Sequence, residues 1–234
     1  MRIYCFPYAG GSSSTFLKWR RHLSPYLDLR PVELQGHGSL MSTSCFIHME
    51  DMITDIYERI GAELREEPFI LLGHSMGSLI AWELASFIRE HEDLHPYHLF
   101  LSGMKPPHLR DREEVPLHQL ERQAFKDAVA RLGGMPPEMI ENDALFEQFE
   151  PILRADFQLC DNYKFKGPFH KINCGITAFG GLQDDISRAE LEQWRLYGDY
   201  FQLRMYEGGH FFIDEHFNEM AAIINQTSSY LMYQ

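Results

Sequence analysis

The residues best suited to chemistry lie in Gly73-His74-Ser75-Met76-Gly77, a Gly-x-Ser-x-Gly pentapeptide. Composition alone produces that pattern in about one chain in ten, so its setting decides its meaning. The apolar run Phe69-Ile70-Leu71-Leu72 precedes it, and Leu79, Ile80, Leu84, Phe87 and Ile88 follow at helical spacing. A strand, a sharp turn and a helix in that order form a nucleophile elbow. Glycines leave room around the serine, which is held in a strained conformation with its hydroxyl at the positive end of the helix. The chemistry implied is acyl transfer to Ser75.

A serine hydroxyl is a poor nucleophile without a base. Of the 12 histidines, His210 stands where a base is expected, in Glu207-Gly208-Gly209-His210-Phe211-Phe212, after the last strand-like run and before the last helix. His74 reads as packing, and His37, in the turn Gln35-Gly36-His37-Gly38, as structural. The base needs a carboxylate to fix its tautomer. Gly180-Gly181-Leu182-Gln183-Asp184-Asp185 offers two after a strand; Asp184 is preferred, Asp185 is the alternative, and capping of the next helix is the bland role for Asp184. Two backbone N–H groups must face the developing oxyanion. Met76 supplies one as the residue after the nucleophile, and Ala9, in Pro7-Tyr8-Ala9-Gly10-Gly11, is the candidate for the other. No metal or cofactor is called for.

The elements that must hold these residues alternate. Strand-like runs occupy Ile3–Phe6, Leu29–Leu34, Phe69–Leu72, His98–Ser102, Ile176–Phe179 and Phe201–Tyr206. Met49, Met52, Ile53, Ile56, Ile60 and Leu64 mark a helix between the second and third, Arg188–Tyr197 reads as another, and Phe217, Met220, Ala221 and Ile224 begin a last one. Runs that are apolar throughout, separated by helices, specify α/β architecture with a doubly wound, mostly parallel sheet. The alternation lapses over 104–166, where Pro106-Pro107, Gly133-Gly134 and Pro136-Pro137 separate helical stretches. An insertion that long is expected to be functional, a helical lid within a single domain spanning 1–234.

Composition narrows the class. A formal charge of −13 disfavours nucleic acid and anionic membranes as partners. No apolar run reaches the ~18 residues of a membrane span. Four scattered cysteines without a Cys-x-x-Cys pair fit a reducing compartment, and a cytoplasmic protein is expected.

Four segments together, Phe6-Pro7-Tyr8-Ala9-Gly10-Gly11-Ser12, Gly73-His74-Ser75-Met76-Gly77, Ala178-Phe179-Gly180-Gly181-Leu182-Gln183-Asp184 and Gly208-Gly209-His210-Phe211-Phe212, resemble type II thioesterases, the stand-alone editing enzymes of nonribosomal peptide and polyketide synthases. The resemblance runs from residue 3 to the last helix. It implies an α/β-hydrolase fold with a mobile helical lid, and hydrolysis of acyl groups from the phosphopantetheine arm of carrier proteins by Ser75, His210 and Asp184. A chain-releasing fatty acyl-carrier thioesterase and a small-molecule carboxylesterase of the same fold are the alternatives. The partners expected are acyl-loaded carrier proteins, for which Lys18, Arg20 and Arg21 form a candidate docking cluster; a monomer is the simplest assembly.

Overall fold

The runs that are apolar at every position become strands covered on both faces. The computed structural model describes residues 1–109, 115–167 and 171–232. In chain order its strands and α-helices are β1 (Arg2–Phe6), β2 (Asp28–Pro31), α1 (Met49–Glu66), β3 (Phe69–His74), α2 (Met76–Glu92), β4 (His98–Ser102), α3 (Arg122–Leu132), α4 (Pro137–Glu141), α5 (Asp143–Asn162), β5 (Ile172–Gly181), α6 (Arg188–Leu191), β6 (Gly198–Tyr206) and α7 (Ile213–Met232). The sheet order is β2-β1-β3-β4-β5-β6, and each neighbouring pair is parallel. Side chains alternate between two cores. Tyr4, Phe6, Phe69, Leu71, Leu99 and Leu101 pack on the layer that holds α1 and α2, whereas Ile3, Cys5, Ile70, Leu72 and Phe100 pack against Phe16, Trp19 and α7. That is the doubly wound sheet the sequence predicts.

The chain moves outward from β1 to β2 and then returns past β1 to β3. Strand order therefore reverses between β1 and β3, and the loops leaving their carboxyl ends diverge to open a crevice, the usual ligand position in open α/β sheets. The Tyr8–Gly11 turn follows β1 and Ser75 follows β3, so topology alone brings them together.

Several boundaries differ from expectation: β5 and β6 begin earlier than the runs Ile176–Phe179 and Phe201–Tyr206, and two further differences have a local cause. The second strand stops at Pro31 rather than Leu34: proline has no N–H for the ladder, and after one further bond from Val32 N–H to the Cys5 carbonyl the chain turns away at Gly36. The helix expected over Arg188–Tyr197 is α-helical only to Leu191 and continues as a 3-10 segment over Glu192–Leu196. A three-residue period stacks side chains at i and i+3. Leu191, Trp194 and Tyr197 thereby fall on one fully buried row, and the Trp194 indole donates to the Met104 carbonyl at 2.7 Å.

Between β4 and β5 lies the insertion, built from α3, α4, α5 and short 3-10 turns; its residues 110–114 lie outside those described. Phe125, Val129, Phe146 and Leu153 form its own small core, while Leu159 belongs to the core of the sheet. Asn142 caps α5 by accepting from the Ala144 and Leu145 amides at 3.1 and 3.2 Å. The four cysteines are free thiols, two of them buried. Among the described residues no helix is long and apolar enough to cross a membrane.

Candidate active site

Ser75 sits between β3 and α2 with φ 53° and ψ −121°, a conformation that side chains other than glycine rarely occupy. The surroundings over-determine it. The Ser75 amide donates to the Ser102 carbonyl at 2.7 Å, and the Ser78 hydroxyl accepts from the Ser102 amide at 2.8 Å while its one proton lies within reach of the Gly73 and Ser102 carbonyls, so the elbow is stapled to the end of β4. Both flanking glycines are there for space: a Cβ on Gly73 would collide with the backbone of Gly77 and Ser78, and one on Gly77 with the Phe6 carbonyl.

The structure brings the three polar residues expected from sequence into one line. His210 Nε2 lies 2.9 Å from Ser75 Oγ, and His210 Nδ1 lies 2.9 Å from Asp184 Oδ2. A carboxylate only accepts, so Nδ1 carries the proton and donates to Asp184. That tautomer leaves the Nε2 lone pair to accept from the serine hydroxyl. The Asp184 side chain is only 4% exposed, whereas Asp185 faces solvent. The loops that deliver acid and base are bonded to each other, Leu182 N–H to the Tyr206 carbonyl at 2.8 Å and Gln183 N–H to the Gly208 carbonyl at 3.0 Å. Helix capping falls to Ser187, which forms a capping box with Glu190.

The Gly11 amide donates to the Tyr8 carbonyl at 2.8 Å, closing a four-residue turn with Ala9 and Gly10 at its tip and Gly10 at φ +76°. Met76 is the first residue of α2, where backbone N–H groups have no acceptor within the helix. Ala9 and Ser75 border both cavities that meet at His210. One, of about 280 Å³, runs under the insertion between Val129, Leu132, Met135, Met139, Phe149 and Leu153. The other, of about 460 Å³, is more polar and includes Met76, Lys105, Leu117, Asp161 and Lys164.

His74 is a packing residue, as expected. Its ring is fully buried and meets Tyr8, Phe211 and Phe212 edge-on at 5.9, 5.5 and 5.6 Å. Burial holds it well below the ordinary imidazole range, and the charge of the nearby His210 pushes the same way. Sequence reasoning passed over Asp156. This buried carboxylate of α5 accepts from the Gly10 amide at 2.7 Å and lies 2.9 Å from His37 Nε2. Among the described residues no cluster of side chains is arranged to hold a metal ion.

Known proteins bear on this arrangement. The family model described as "Thioesterase domain" matches residues 1–227. GrsT of Aneurinibacillus migulanus, a gramicidin S biosynthesis protein, is 34% identical over 94% of this chain and 86% of its own. LgrE of Brevibacillus parabrevis, named as a linear gramicidin dehydrogenase, is 35% identical over 98% of this chain and 89% of its own. Among solved structures, ClbQ from the colibactin NRPS/PKS pathway superposes with a TM-score of 0.92 at 33% identity, covering 99% of this chain and 98% of that one. RedJ, a thioesterase of prodiginine biosynthesis in Streptomyces coelicolor, gives 0.90 at 31% identity, covering 97% and 90%. With its sheet, its elbow and almost its full length matched, this chain belongs to the thioesterase family and has the α/β-hydrolase fold.

Proposed function

We propose that this protein is a serine thioesterase that removes aberrant or stalled acyl groups from the phosphopantetheine arms of carrier proteins in nonribosomal peptide or polyketide synthesis. The observation that carries the reading is the unbroken line from Ser75 through His210 to Asp184 at the meeting point of an apolar and a more polar cavity. Support for the substrate class comes from relatives whose names place them in gramicidin S, colibactin and prodiginine biosynthesis. One relative is named a dehydrogenase, an activity for which the first strand and turn of this chain offer no dinucleotide signature. The turn after β1 is Pro7-Tyr8-Ala9-Gly10-Gly11 and not the Gly-x-Gly-x-x-Gly of a dinucleotide site.

In this mechanism Ser75 Oγ attacks the thioester carbonyl as its proton passes to His210 Nε2. The tetrahedral oxyanion points at the N–H groups of Ala9 and Met76. Collapse breaks the carbon–sulfur bond, and the imidazolium returns the proton to the departing thiol. Water then attacks the acyl-serine with His210 again as base, releasing the acid and restoring Ser75. Asp184 keeps Nδ1 protonated and stabilises the imidazolium throughout. The acyl chain occupies the apolar cavity, and the arm enters by the one bordered by Lys105 and Lys164.

The decisive experiment offers one set of acyl groups on a carrier protein, on coenzyme A and as oxygen esters. Hydrolysis is expected to be fastest on the carrier and to extend across several short acyl groups. Preference for one long fatty chain would instead indicate a chain-releasing enzyme, and preference for oxygen esters a carboxylesterase.

A further inference from the structure

Asp156 is a buried carboxylate on the helix that roofs the site, and its contacts reach beyond that helix. The side chain is fully buried, and Oδ2 meets two groups on separate segments, the Gly10 amide at 2.7 Å and His37 Nε2 at 2.9 Å. Leu153, three residues earlier on the same face of α5, lies where a Cβ on Gly10 would stand. One face of the insertion is thus seated on the turn that carries Ala9. The far side of that turn is held from the body of the protein, because Glu33 accepts from the Ser13 amide and hydroxyl at 2.9 and 2.8 Å.

His37 is equipped to hold the carboxylate in place. Its Nδ1 faces the Gln35 carbonyl at 3.0 Å while its Nε2 faces Asp156, so both ring nitrogens meet acceptors and the doubly protonated ring satisfies both. The charged and titratable groups around it are Asp156 on α5, Glu33 on the loop after β2, and Cys45, whose sulfur abuts Gly36 and whose thiol is raised by burial and by Asp156. Burial opposes the cation. The hydrogen bond and charge of Asp156 outweigh it, with the Gln35 carbonyl and Glu33 adding, and the imidazole is raised above its ordinary value of 6.5.

We propose that Asp156 is a positioning residue for hydrolysis: by accepting the Gly10 N–H it sets the aim of the adjoining Ala9 N–H, with His37 holding the carboxylate, so that the oxyanion turn is competent only when α5 is seated on it. The inference rests on the reading that Ala9 supplies an oxyanion donor. Peptide planes are rigid, so fixing the Ala9–Gly10 plane leaves only the two dihedral angles of Ala9 to orient its own N–H. A swung-away roof leaves Gly10 without this acceptor, and a site open to water is then also a site with a misaimed donor. The pH dependence has a definite sign. A raised imidazole lends its full support below the ordinary value and loses it as pH rises through the raised one.

The test compares wild type with Asp156→Ala on a small acyl-N-acetylcysteamine thioester, with folding followed by thermal melting. Alanine removes the oxygen that Gly10 and His37 share. The expected result is a kcat lower by about 10- to 100-fold, at or below the loss from deleting an oxyanion donor, with KM within about three-fold because Asp156 does not line the acyl cavity. A lower melting temperature with unchanged kcat in the folded enzyme overturns the proposal and leaves Asp156 a structural residue. If wild type itself hydrolyses no thioester, the functional reading fails first. His37→Gln keeps a donor to Asp156 without a titrating ring and serves even if Asp156→Ala does not fold. Wild-type kcat should decline as pH rises above the His37 value, whereas His37→Gln should be slower at neutral pH and flat over that interval. Parallel profiles for the two proteins also overturn it.

Discussion

The serine, the histidine and the aspartate each depend on a different constraint. Ser75 is held by backbone strain, which the bonds to Ser102 and the bare flanks of Gly73 and Gly77 stabilise. Replacing it with alanine leaves those supports in place, so Ser75→Ala should melt near wild type and lose at least about 10³-fold in kcat. A serine-directed phosphonate should label wild type at Ser75 and leave the variant unlabelled; turnover by the variant within a few-fold of wild type would remove Ser75 from the mechanism. In the proposed mechanism Asp184 fixes a tautomer, a role the exposed Asp185 has no geometry to fill. Asp184→Asn should therefore lower kcat by about 10³- to 10⁴-fold, and Asp185→Asn should stay within about two-fold. Measured side by side, the reverse order would assign the role to Asp185. His74, only 5.3 Å from His210 between ring centroids, would repel an imidazolium formed there if it were itself charged. Complete burial keeps it neutral.

Among the elements, the insertion divides its apolar residues between two tasks. Phe125 and Phe146 pack inside it, while Leu132, Met135, Met139 and Phe149 face the cavity over Ser75. Met and Leu adapt to different shapes more readily than β-branched or aromatic side chains. Gly133 and Gly134, between α3 and α4, have positive φ angles of +81° and +80°, and Gly134 lies directly against the ring of Phe211, next to His210. Movement there would be felt at the base. Discrimination between neighbouring acyl lengths should be modest, about 1–3 kcal/mol at most in kcat/KM. Hydrogen exchange should find α3 and α4 opening more readily than β3 and β4. A sharp optimum at one chain length, with the insertion as protected as the sheet, would rule out an adaptable lid.

At the scale of the whole molecule, a formal charge of −13 works against an acidic carrier partner unless cations gather locally. The cluster expected at Lys18, Arg20 and Arg21 is smaller than its sequence suggests. Lys18 is engaged by Asp214 at 2.7 Å and lies over the Phe217 ring, which leaves exposed Arg20 and Arg21 as the cations available to a partner. Charge reversal at both, Arg20→Glu with Arg21→Glu, should raise KM for acyl-carrier substrates and leave hydrolysis of free thioesters unchanged. Equal effects on the two substrates would show that these arginines do not dock the carrier.

The sequence by itself determined the order of strands and helices, the elbow and the order of nucleophile, acid and base, because each is written in neighbouring residues. An all-apolar run declares a strand covered on both faces, and Gly-x-Ser-x-Gly between a strand and a helix admits few other turns. Helix boundaries were less legible where a local winding answered to a distant partner, as when Trp194 reaches the Met104 carbonyl and the chain tightens to suit. The sequence favoured Asp184 but left Asp185 open, since adjacent side chains point different ways and only the approach of the chain after β6 brings one of them to His210. Asp156 was hidden for the same reason. In sequence it is one acid among many, distinguished only by falling at three-residue spacing between Leu153 and Leu159, on the buried face of α5. Its meaning comes from Gly10 and His37, 146 and 119 residues away along the chain. Contacts across such separations are set by how the insertion docks on the sheet, and no local pattern of residues encodes that docking.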